Sequence, residues 1–178
     1  MRETPEKLNT QAIELAQQGN YTEAIACFKR ALSLERHNHL LWYNLGITYR
    51  DAGDLTNARI ALERAYEIND EDDDIVETLA VTCFHMGDYV TATEYCTDGL
   101  ATNSDNAHLW NLLGVINFNR DEYALAAESF EQAITINPYY YDALYNLRDA
   151  YAELGNKAGV AMCEQQMRHI SPSGKNHA

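Results

Sequence analysis

The sequence has little of what interrupts helices, since only three prolines and nine glycines occur among its 178 residues. Proline breaks a helix and glycine weakens one, so this composition permits helical segments over most of the chain. Apolar runs of about 18 residues are missing as well, which excludes an ordinary transmembrane helix. The opening MRETPEKLNTQAIELAQQG lacks the apolar stretch of a secretory signal peptide, so we expect a cytoplasmic protein.

Positive charge is also scarce, with 13 Lys and Arg against 27 Asp and Glu and a net charge of −14. Residues 1–68 hold eight basic and nine acidic side chains, whereas residues 69–178 hold five and eighteen. A field of this sign repels phosphate backbones and anionic lipid surfaces, so we expect neither nucleic acid nor a membrane as partner. The alternative is that the acids serve only to keep an acidic protein soluble.

Motifs that carry chemistry are missing too. The four cysteines show no CxxC pairing or metal-ligand spacing, and their apolar neighbours predict buried thiols outside any disulfide. No glycine-rich phosphate loop and no GxSxG occurs, and the acidic run Asp70–Asp74 lacks the Gly and the closing Glu of an EF-hand. We expect that run to cap a helix in solvent. The chain is therefore not expected to be an enzyme, to bind a metal or to need a cofactor.

What the sequence does contain is repetition. Leu41, Trp42, Leu45 and Gly46 in LLWYNLGITY recur 68 residues later in HLWNLLGVINF. Glycines show that the true period is 34, with Asp121 at the one place where glycine is missing. The four glycines of this column are Gly19, Gly53, Gly87 and Gly155.

Each of these positions reads as a left-handed turn between two helices, because Gly adopts that conformation readily and Asp tolerates it. The residue after the turn is a good helix N-cap in four of five cases, and Asn20 with Glu23 has the spacing of a capping box. Alanine also recurs five residues after the turn, where two helices must approach closely. The residues of that column are Ala24, Ala58, Ala92 and Ala126.

A pair of antiparallel helices cannot bury its own apolar face alone, so the repeats must stack into an all-α solenoid of about ten helices. We predict a single domain over residues 5–172 with flexible ends at 1–4 and 173–178. Its five repeats span 5–38, 39–72, 73–106, 107–140 and 141–172, the last a degenerate cap.

These columns resemble the tetratricopeptide repeat (TPR), in which Trp, Leu, Gly and Tyr on the first helix precede Gly, Tyr, Ala, Phe, Ala and Pro. Repeat two supplies Trp42, Leu45, Gly46, Tyr49, Gly53 and Ala58. Repeat four supplies Trp110, Leu113, Gly114, Tyr123, Ala126, Phe130, Ala133 and Pro138. The fifth repeat departs from the pattern at Arg148, Val160 and Glu164, as a terminal cap facing water would. The resemblance implies a right-handed α-solenoid.

The resemblance also implies a function, since the first helices of TPR units line a concave groove that binds a protein segment. In that register, Asn44 and Asn146 match a family position whose amide holds the ligand backbone. The residues expected to bind peptide are Tyr43, Asn44, Ile47, Arg50, Glu77, Thr78, Val81, Phe84, His108, Asn111, Val115, Phe118, Tyr145, Asn146 and Asp149.

Apolar residues recur at the 34-residue step on this face, together with acids. The sequence thus predicts an adaptor for a segment with apolar anchors and basic flanks, present as a monomer or weak homo-oligomer. Acidic chaperone tails are not expected, because Asp74 stands where that TPR subclass needs a cation. Other interpretations are that the apolar rows only pack adjacent first helices, that the groove takes a helix of a neighbouring copy as a self-assembling scaffold, or that the chain is a regulatory module of a separate enzyme.

Overall fold

The computed structural model describes residues 3–170, and these residues form ten α-helices. Their bounds are α1 (Pro5–Gln17), α2 (Tyr21–Leu34), α3 (His39–Asp51), α4 (Leu55–Ile68), α5 (Asp73–His85), α6 (Tyr89–Thr102), α7 (Ala107–Asn119), α8 (Tyr123–Ile136), α9 (Tyr141–Glu153) and α10 (Lys157–Met167). The all-α, helical-repeat fold is thereby confirmed. Of the predicted domain and flexible ends, residues 1–2 and 171–178 lie outside the described residues.

The two helices of each repeat are joined by one residue with a left-handed backbone. The φ angle is +77° at Gly19, +82° at Gly53, +76° at Gly87 and +68° at Gly155. At the remaining turn Asp121 takes its place with φ of +60°. The 34-residue column therefore marks the turns, including the position where the sequence has no glycine.

Side-chain caps follow the turn in three repeats. Asp54, Asp88 and Asn156 each accept a hydrogen bond from the backbone N–H three residues later, over 3.1, 3.2 and 3.0 Å. Asp72, inside the acidic run, caps α5 by accepting from two backbone N–H groups of the first turn, over 3.1 and 3.4 Å. The run therefore caps a helix, as the sequence predicts.

The capping box predicted for Asn20 and Glu23 is wrong. No side-chain cap bond forms at Asn20, whose amide nitrogen instead donates to Oε1 of Gln18 over 3.5 Å. The competing partner lies on the preceding turn, within reach of a short polar side chain.

The chain divides into two compact units, Met1–Tyr95 and Cys96–Ala178, and the division falls inside α6. In the N-terminal unit, consecutive helices pack on each other from α1 through α5. In the C-terminal unit, consecutive helices do the same from α7 through α10. The N-terminal core is built from Leu8, Ala12, Phe28, Ala31, Leu32, Leu41, Leu45, Tyr49, Ala58 and Ala61. The C-terminal core is built from Ala126, Ala127, Phe130, Leu147, Ala150 and Cys163.

Small residues let the helices of a repeat approach closely. The four alanines of the repeating column are fully buried. A Cβ atom added at Gly114 would lie 2.4 Å from Cε1 of Phe130, and one added at Gly46 would lie 2.6 Å from Cγ of Leu62. Both distances are shorter than any real carbon contact, so α7 and α8, and likewise α3 and α4, need glycine where they meet.

The four cysteines all lie among the described residues and form no disulfide with one another. Cys83, Cys96 and Cys163 are buried, as the sequence predicts. Cys27 is only half-buried, so it is more exposed than predicted. Among the described helices, none combines the length and apolar character needed to cross a bilayer.

Candidate peptide-binding surface

In the N-terminal unit, eight of the predicted binding residues lie on α3 and α5, and we call them the N-terminal patch. On each helix the members follow at helical spacing and share one face. All but Thr78 are half-buried; Thr78 is buried. The N-terminal patch consists of Tyr43, Asn44, Ile47, Arg50, Glu77, Thr78, Val81 and Phe84.

Polar pairs join adjacent first helices along this face. The Asn44 amide nitrogen donates to Oδ1 of Asn9 over 3.1 Å, which connects α3 to α1. The hydroxyls of Tyr43 and Thr78 lie 3.3 Å apart and connect α3 to α5. Each pair joins the fifth residue of one first helix to the sixth residue of the next, so the junctions are equivalent.

Arg50 is held by its own neighbour. Its Nε and Nη2 atoms donate to Oδ1 of Asp51 over 3.1 and 3.0 Å. Both side chains are partly exposed, so this pair adds little stability. It does reduce the positive charge that Arg50 brings to the N-terminal patch.

In the C-terminal unit, the remaining seven predicted residues lie on α7 and α9, and we call them the C-terminal patch. Tyr145 and His108 are exposed, and the others are half-buried. The C-terminal patch consists of His108, Asn111, Val115, Phe118, Tyr145, Asn146 and Asp149.

A pocket of about 290 Å³ opens in the C-terminal patch. Four predicted residues line it, together with two that the sequence did not single out for binding. Apolar walls and polar groups therefore converge on one concavity, as they do in peptide and small-molecule sites. The lining residues are Val115, Phe118, Asn119, Phe130, Asn146 and Asp149.

A hydrogen-bonded chain runs along the same patch. The Asn146 amide nitrogen donates to Oδ1 of Asn111 over 3.0 Å, at the same repeat positions as Asn44 and Asn9. Asn111 in turn donates to the Tyr140 hydroxyl over 3.4 Å, and the Tyr140 ring packs 5.1 Å from that of His108. The side chain of Asn146 is thus oriented before any ligand arrives.

Arg148 contacts two of the predicted residues, Asp149 and Tyr145. Its Nε and Nη2 atoms donate to Oδ1 of Asp149 over 3.0 and 2.6 Å, and its guanidinium lies 4.0 Å from the centre of the Tyr145 ring. The bond to Asp149 raises the pKa of Arg148, so the guanidinium stays charged. A cation thus stands beside Asp149 at the edge of the pocket.

The two phenylalanines are less exposed than the sequence predicts. Phe118 is half-buried, packs against the C-terminal core and meets the Tyr123 ring edge-on at 5.2 Å. Phe84 is half-buried as well, and its ring lies 5.5 Å from that of Tyr89. Each phenylalanine packs on the tyrosine that follows the turn of its own repeat, so each presents only part of its ring to a ligand.

The structure brings together Val115, Phe118, Asn146 and Asp149 at the pocket, and it joins Tyr43 to Thr78 and Asn111 to Asn146 by hydrogen bonds. Sequence reasoning missed Asn119 and Phe130 as lining residues. The sequence marks Arg148 only as a departure from the repeat pattern. Its position next to Asp149 in the sequence could have indicated the ion pair between them. The binding role of all fifteen residues stays a prediction.

No three His, Cys, Asp or Glu side chains come within reach of a common metal ion in residues 3–170. His37 lies on the connection between α2 and α3, whereas the acidic run lies on the connection between α4 and α5 and in the first turn of α5.

Comparison with known families identifies the class of fold. Three tetratricopeptide-repeat family models match residues 9–74, 49–116 and 107–140, and together they span residues 9–140. The chain therefore belongs to the tetratricopeptide-repeat family. Its helical-repeat fold is a scaffold for protein–protein interaction.

Solved structures of the same fold cover nearly the whole chain. A crystal structure of MamA protein is 22% identical with a TM-score of 0.82, covering 94% of this chain and 91% of that one. MamA 41-end from Desulfovibrio magneticus RS-1 is 14% identical with a TM-score of 0.84, over 97% and 98%. YrrB, described as a TPR protein with an unusual peptide-binding site, is 20% identical with a TM-score of 0.72, over 93% and 85%.

Curated relatives match in part. The BBSome complex member bbs-4 of Caenorhabditis elegans is 24% identical over 129 residues, which is 72% of this chain and 28% of that protein. The uncharacterized protein ycf37 of Pyropia yezoensis is 44% identical over 48 residues, 27% of each. The matches thus span little more than a quarter of the length of these relatives.

Proposed function

We propose that this protein is a non-catalytic adaptor whose C-terminal patch binds a protein segment with a large apolar side chain flanked by Lys or Arg. The observation that carries the proposal is the 290 Å³ pocket between α7, α8 and α9. Its volume is just below the roughly 300–1,000 Å³ of ligand pockets, a size for one or two side chains rather than a cofactor. The walls of Val115, Phe118 and Phe130 are apolar, so an apolar anchor is the occupant that they favour.

The polar groups of the pocket suit a peptide backbone. An asparagine amide offers two N–H donors and one carbonyl acceptor, and the bond to Asn111 uses one donor of Asn146. The other donor and the carbonyl are left to face a ligand's amide groups. Because the bond to Asn111 already fixes the orientation of Asn146, binding loses less side-chain entropy.

The negative charge of the C-terminal unit favours Lys or Arg on either side of the ligand's apolar anchor. Residues 96–178 contain ten acidic and five basic side chains. Asp142 and Glu153, on the same helix as the pocket residues, are exposed. Such acids mainly raise the association rate and reject acidic competitors. Asp149 lines the pocket but attracts a basic ligand less strongly than a free carboxylate would, because a ligand cation must compete with Arg148 for it.

The comparisons are consistent with this proposal. The neighbour YrrB is described as binding peptide, and the relative bbs-4 as a member of a complex. The N-terminal patch repeats the same chemistry with Ile47, Val81 and Phe84 on first helices. The expected ligand is therefore a segment of a partner protein that contacts the first helices. The alternative occupant is a helix of a neighbouring copy.

The test compares Phe118→Ala with the unaltered protein for binding a labelled synthetic peptide, in which a central Phe is flanked by Lys. Fluorescence polarisation measures affinity, and urea unfolding measures stability. Loss of a pocket wall is expected to weaken binding by about 1–3 kcal/mol. Since Phe118 also packs on Tyr123, a stability loss of about 1–3 kcal/mol accompanies it. Affinity is therefore expressed per folded molecule.

Two further variants separate binding from folding. Arg148→Gln releases Asp149 and is expected to strengthen binding of the Lys-flanked peptide several-fold, with no gain for a Glu-flanked version. Leu125→Ala, at an exposed site of α8 away from the pocket, is the matched control and is expected to change neither quantity by more than about 0.5 kcal/mol. Equal binding per folded molecule by Phe118→Ala and the unaltered protein would overturn the proposal. Light scattering that shows a stable dimer, lost in Phe118→Ala, would favour the neighbouring copy.

A further inference from the structure

A second pocket, of about 460 Å³, lies on the opposite side of α3, within the N-terminal unit. It opens between the second helices α2 and α4, and α3 forms its floor. None of the fifteen predicted binding residues lines it. We name this feature the second-helix groove, and the residues that define it are Lys29, Leu32, Arg36, Trp42, Tyr49 and Ile60.

The floor of the second-helix groove is apolar and rigid. Leu32 and Tyr49 are buried, and the Trp42 indole is fixed because its Nε1–H donates to the Arg36 carbonyl over 2.9 Å. Ile60 stands at the edge in the middle of α4, with 52% of its surface exposed. A β-branched apolar residue beside an indole gives a partner's side chain apolar surface on two sides.

The rim of the groove is positive. Lys29 and Arg36 are both exposed, and none of the residues lining the pocket carries a carboxylate. The Lys29 ammonium lies 5.7 Å from the centre of the Tyr49 ring, which keeps it over the opening. Two acids of the neighbouring helix α4 are paired with other cations, Glu63 with Arg59 over 2.7 Å and Glu67 with Arg64 over 2.6 Å.

We infer that the second-helix groove binds a protein segment in which one large apolar side chain is flanked by Asp or Glu. The apolar anchor would lie against Trp42 and Ile60, and the carboxylates would reach Arg36 and Lys29. Arginine binds a carboxylate through two parallel hydrogen bonds, and lysine adds a point charge. This ligand has the opposite charge to the one proposed for the C-terminal patch, so the protein would hold two different segments at once.

The net charge of −14 does not prevent this binding. At physiological ionic strength charges are screened beyond about 8 Å, so the cations of the rim dominate the field inside the groove. The distant acids slow the approach of an acidic segment but add little to the bound state. Lowering the salt concentration should therefore slow association while the complex itself remains.

The experiment uses the full chain and two labelled synthetic peptides, each with one central Leu, flanked by Glu in one and by Lys in the other. Fluorescence polarisation measures affinity, and the emission of Trp42 in a Trp110→Phe background locates the site. The Glu-flanked peptide is expected to bind and to shift that emission. Ile60→Asp and Arg36→Glu are each expected to weaken this binding about tenfold or more. Leu125→Asp, an equally exposed helix position, is the matched control and should leave it unchanged.

Several results would overturn the inference. One is failure of the Glu-flanked peptide to bind, and another is equal binding by Ile60→Asp and Leu125→Asp when both are folded by circular dichroism. Sedimentation that shows a dimer dissociating only in Ile60→Asp would mean that a second copy occupies the groove instead. Phe118→Ala should not affect this peptide, so failure at the C-terminal patch and failure here are distinguishable.

Discussion

Two buried thiols, Cys83 and Cys163, make folding sensitive to alkaline pH. Burial raises the pKa of each from 9.0 to about 11, and for Cys83 the nearby Arg59 offsets only part of this effect. In the unfolded chain both thiols would ionise near pH 9. Between pH 9 and 11 the folded protein therefore keeps protons that the unfolded chain has lost, and ionisation favours unfolding in that window.

The free energy of unfolding is thus expected to fall as pH rises from 9 to 11, by on the order of 2–3 kcal/mol for each thiol. Urea unfolding at the two pH values measures this loss. Cys83→Ala should show a smaller loss than the unaltered protein, because its thiol no longer titrates. If both proteins lose the same stability, Cys83 does not carry the effect. Native-state labelling gives an independent check, since half-buried Cys27 should react before the three buried thiols.

Among single residues, sequence reasoning succeeded where the 34-residue period fixes the backbone. The left-handed turn at Asp121 follows from the column of glycines, although Asp is not the obvious residue for it. It failed where two side chains compete for one partner. Nothing in the spacing of Asn20 and Glu23 shows that Gln18 will take the Asn20 amide. Nor does periodicity reveal that the side chain of Arg148 turns back on Asp149.

At the scale of helices, the closeness of α7 and α8 depends on Gly114. A Cβ atom there would overlap the Phe130 ring, which is itself almost fully buried and cannot swing into solvent. At Gly53, by contrast, nothing lies within 4 Å of an added Cβ, and only the positive φ disfavours a side chain. The two glycines therefore serve different purposes, packing in one case and chain reversal in the other.

Gly114→Ala is expected to destabilise the protein although alanine favours helix by about 1 kcal/mol, because overpacking costs about 1–3 kcal/mol. Adding Phe130→Leu to Gly114→Ala should recover part of this loss, since the smaller side chain relieves the overlap. Gly53→Ala should cost about 1–2 kcal/mol, the penalty of a left-handed backbone. Urea unfolding of the unaltered protein and the three variants measures these differences in stability. A stability of Gly114→Ala equal to that of the unaltered protein would contradict the packing role.

Helix-level features also show where prediction from sequence stops. The fold and its repeat pattern follow from columns that any stacked helix pair must keep. The edge-on contact of Phe118 with Tyr123 does not, because residues five apart across a turn have no fixed relation in a pattern of helix faces. The second-helix groove does not follow from the sequence for a related reason: the TPR resemblance places the ligand on first helices, while Ile60 lies on a second helix.

On the scale of the whole chain, burial is uneven among the repeats. Helix α1 buries only Leu8 and Ala12, and α10 buries only Cys163. Helix α5, by contrast, buries seven residues. In a repeat protein each unit is stabilised mainly by its neighbours, and a terminal unit has one neighbour only. We therefore expect the ends of the array to open first.

Hydrogen exchange followed by mass spectrometry is expected to show the least protection in residues 5–20 and 157–170, and greater protection in α5. Exchange from the termini samples local opening of α1 and α10, which expose little apolar surface when they detach. Protection of equal strength along the whole chain would contradict the expectation.

The polar pairs between first helices have a consequence for how such a protein can be rearranged by duplication or deletion of its repeats. Position five of one repeat is hydrogen-bonded to position six of the next at three junctions: Asn9 meets Asn44, Tyr43 meets Thr78, and Asn111 meets Asn146. Joining repeat one directly to repeat four would set Asn9 opposite Leu112, which offers no hydrogen bond, whereas joining it to repeat five would again supply Asn146. A rearranged protein would therefore keep these side-chain bonds only where hydrogen-bonding side chains again stand at both positions.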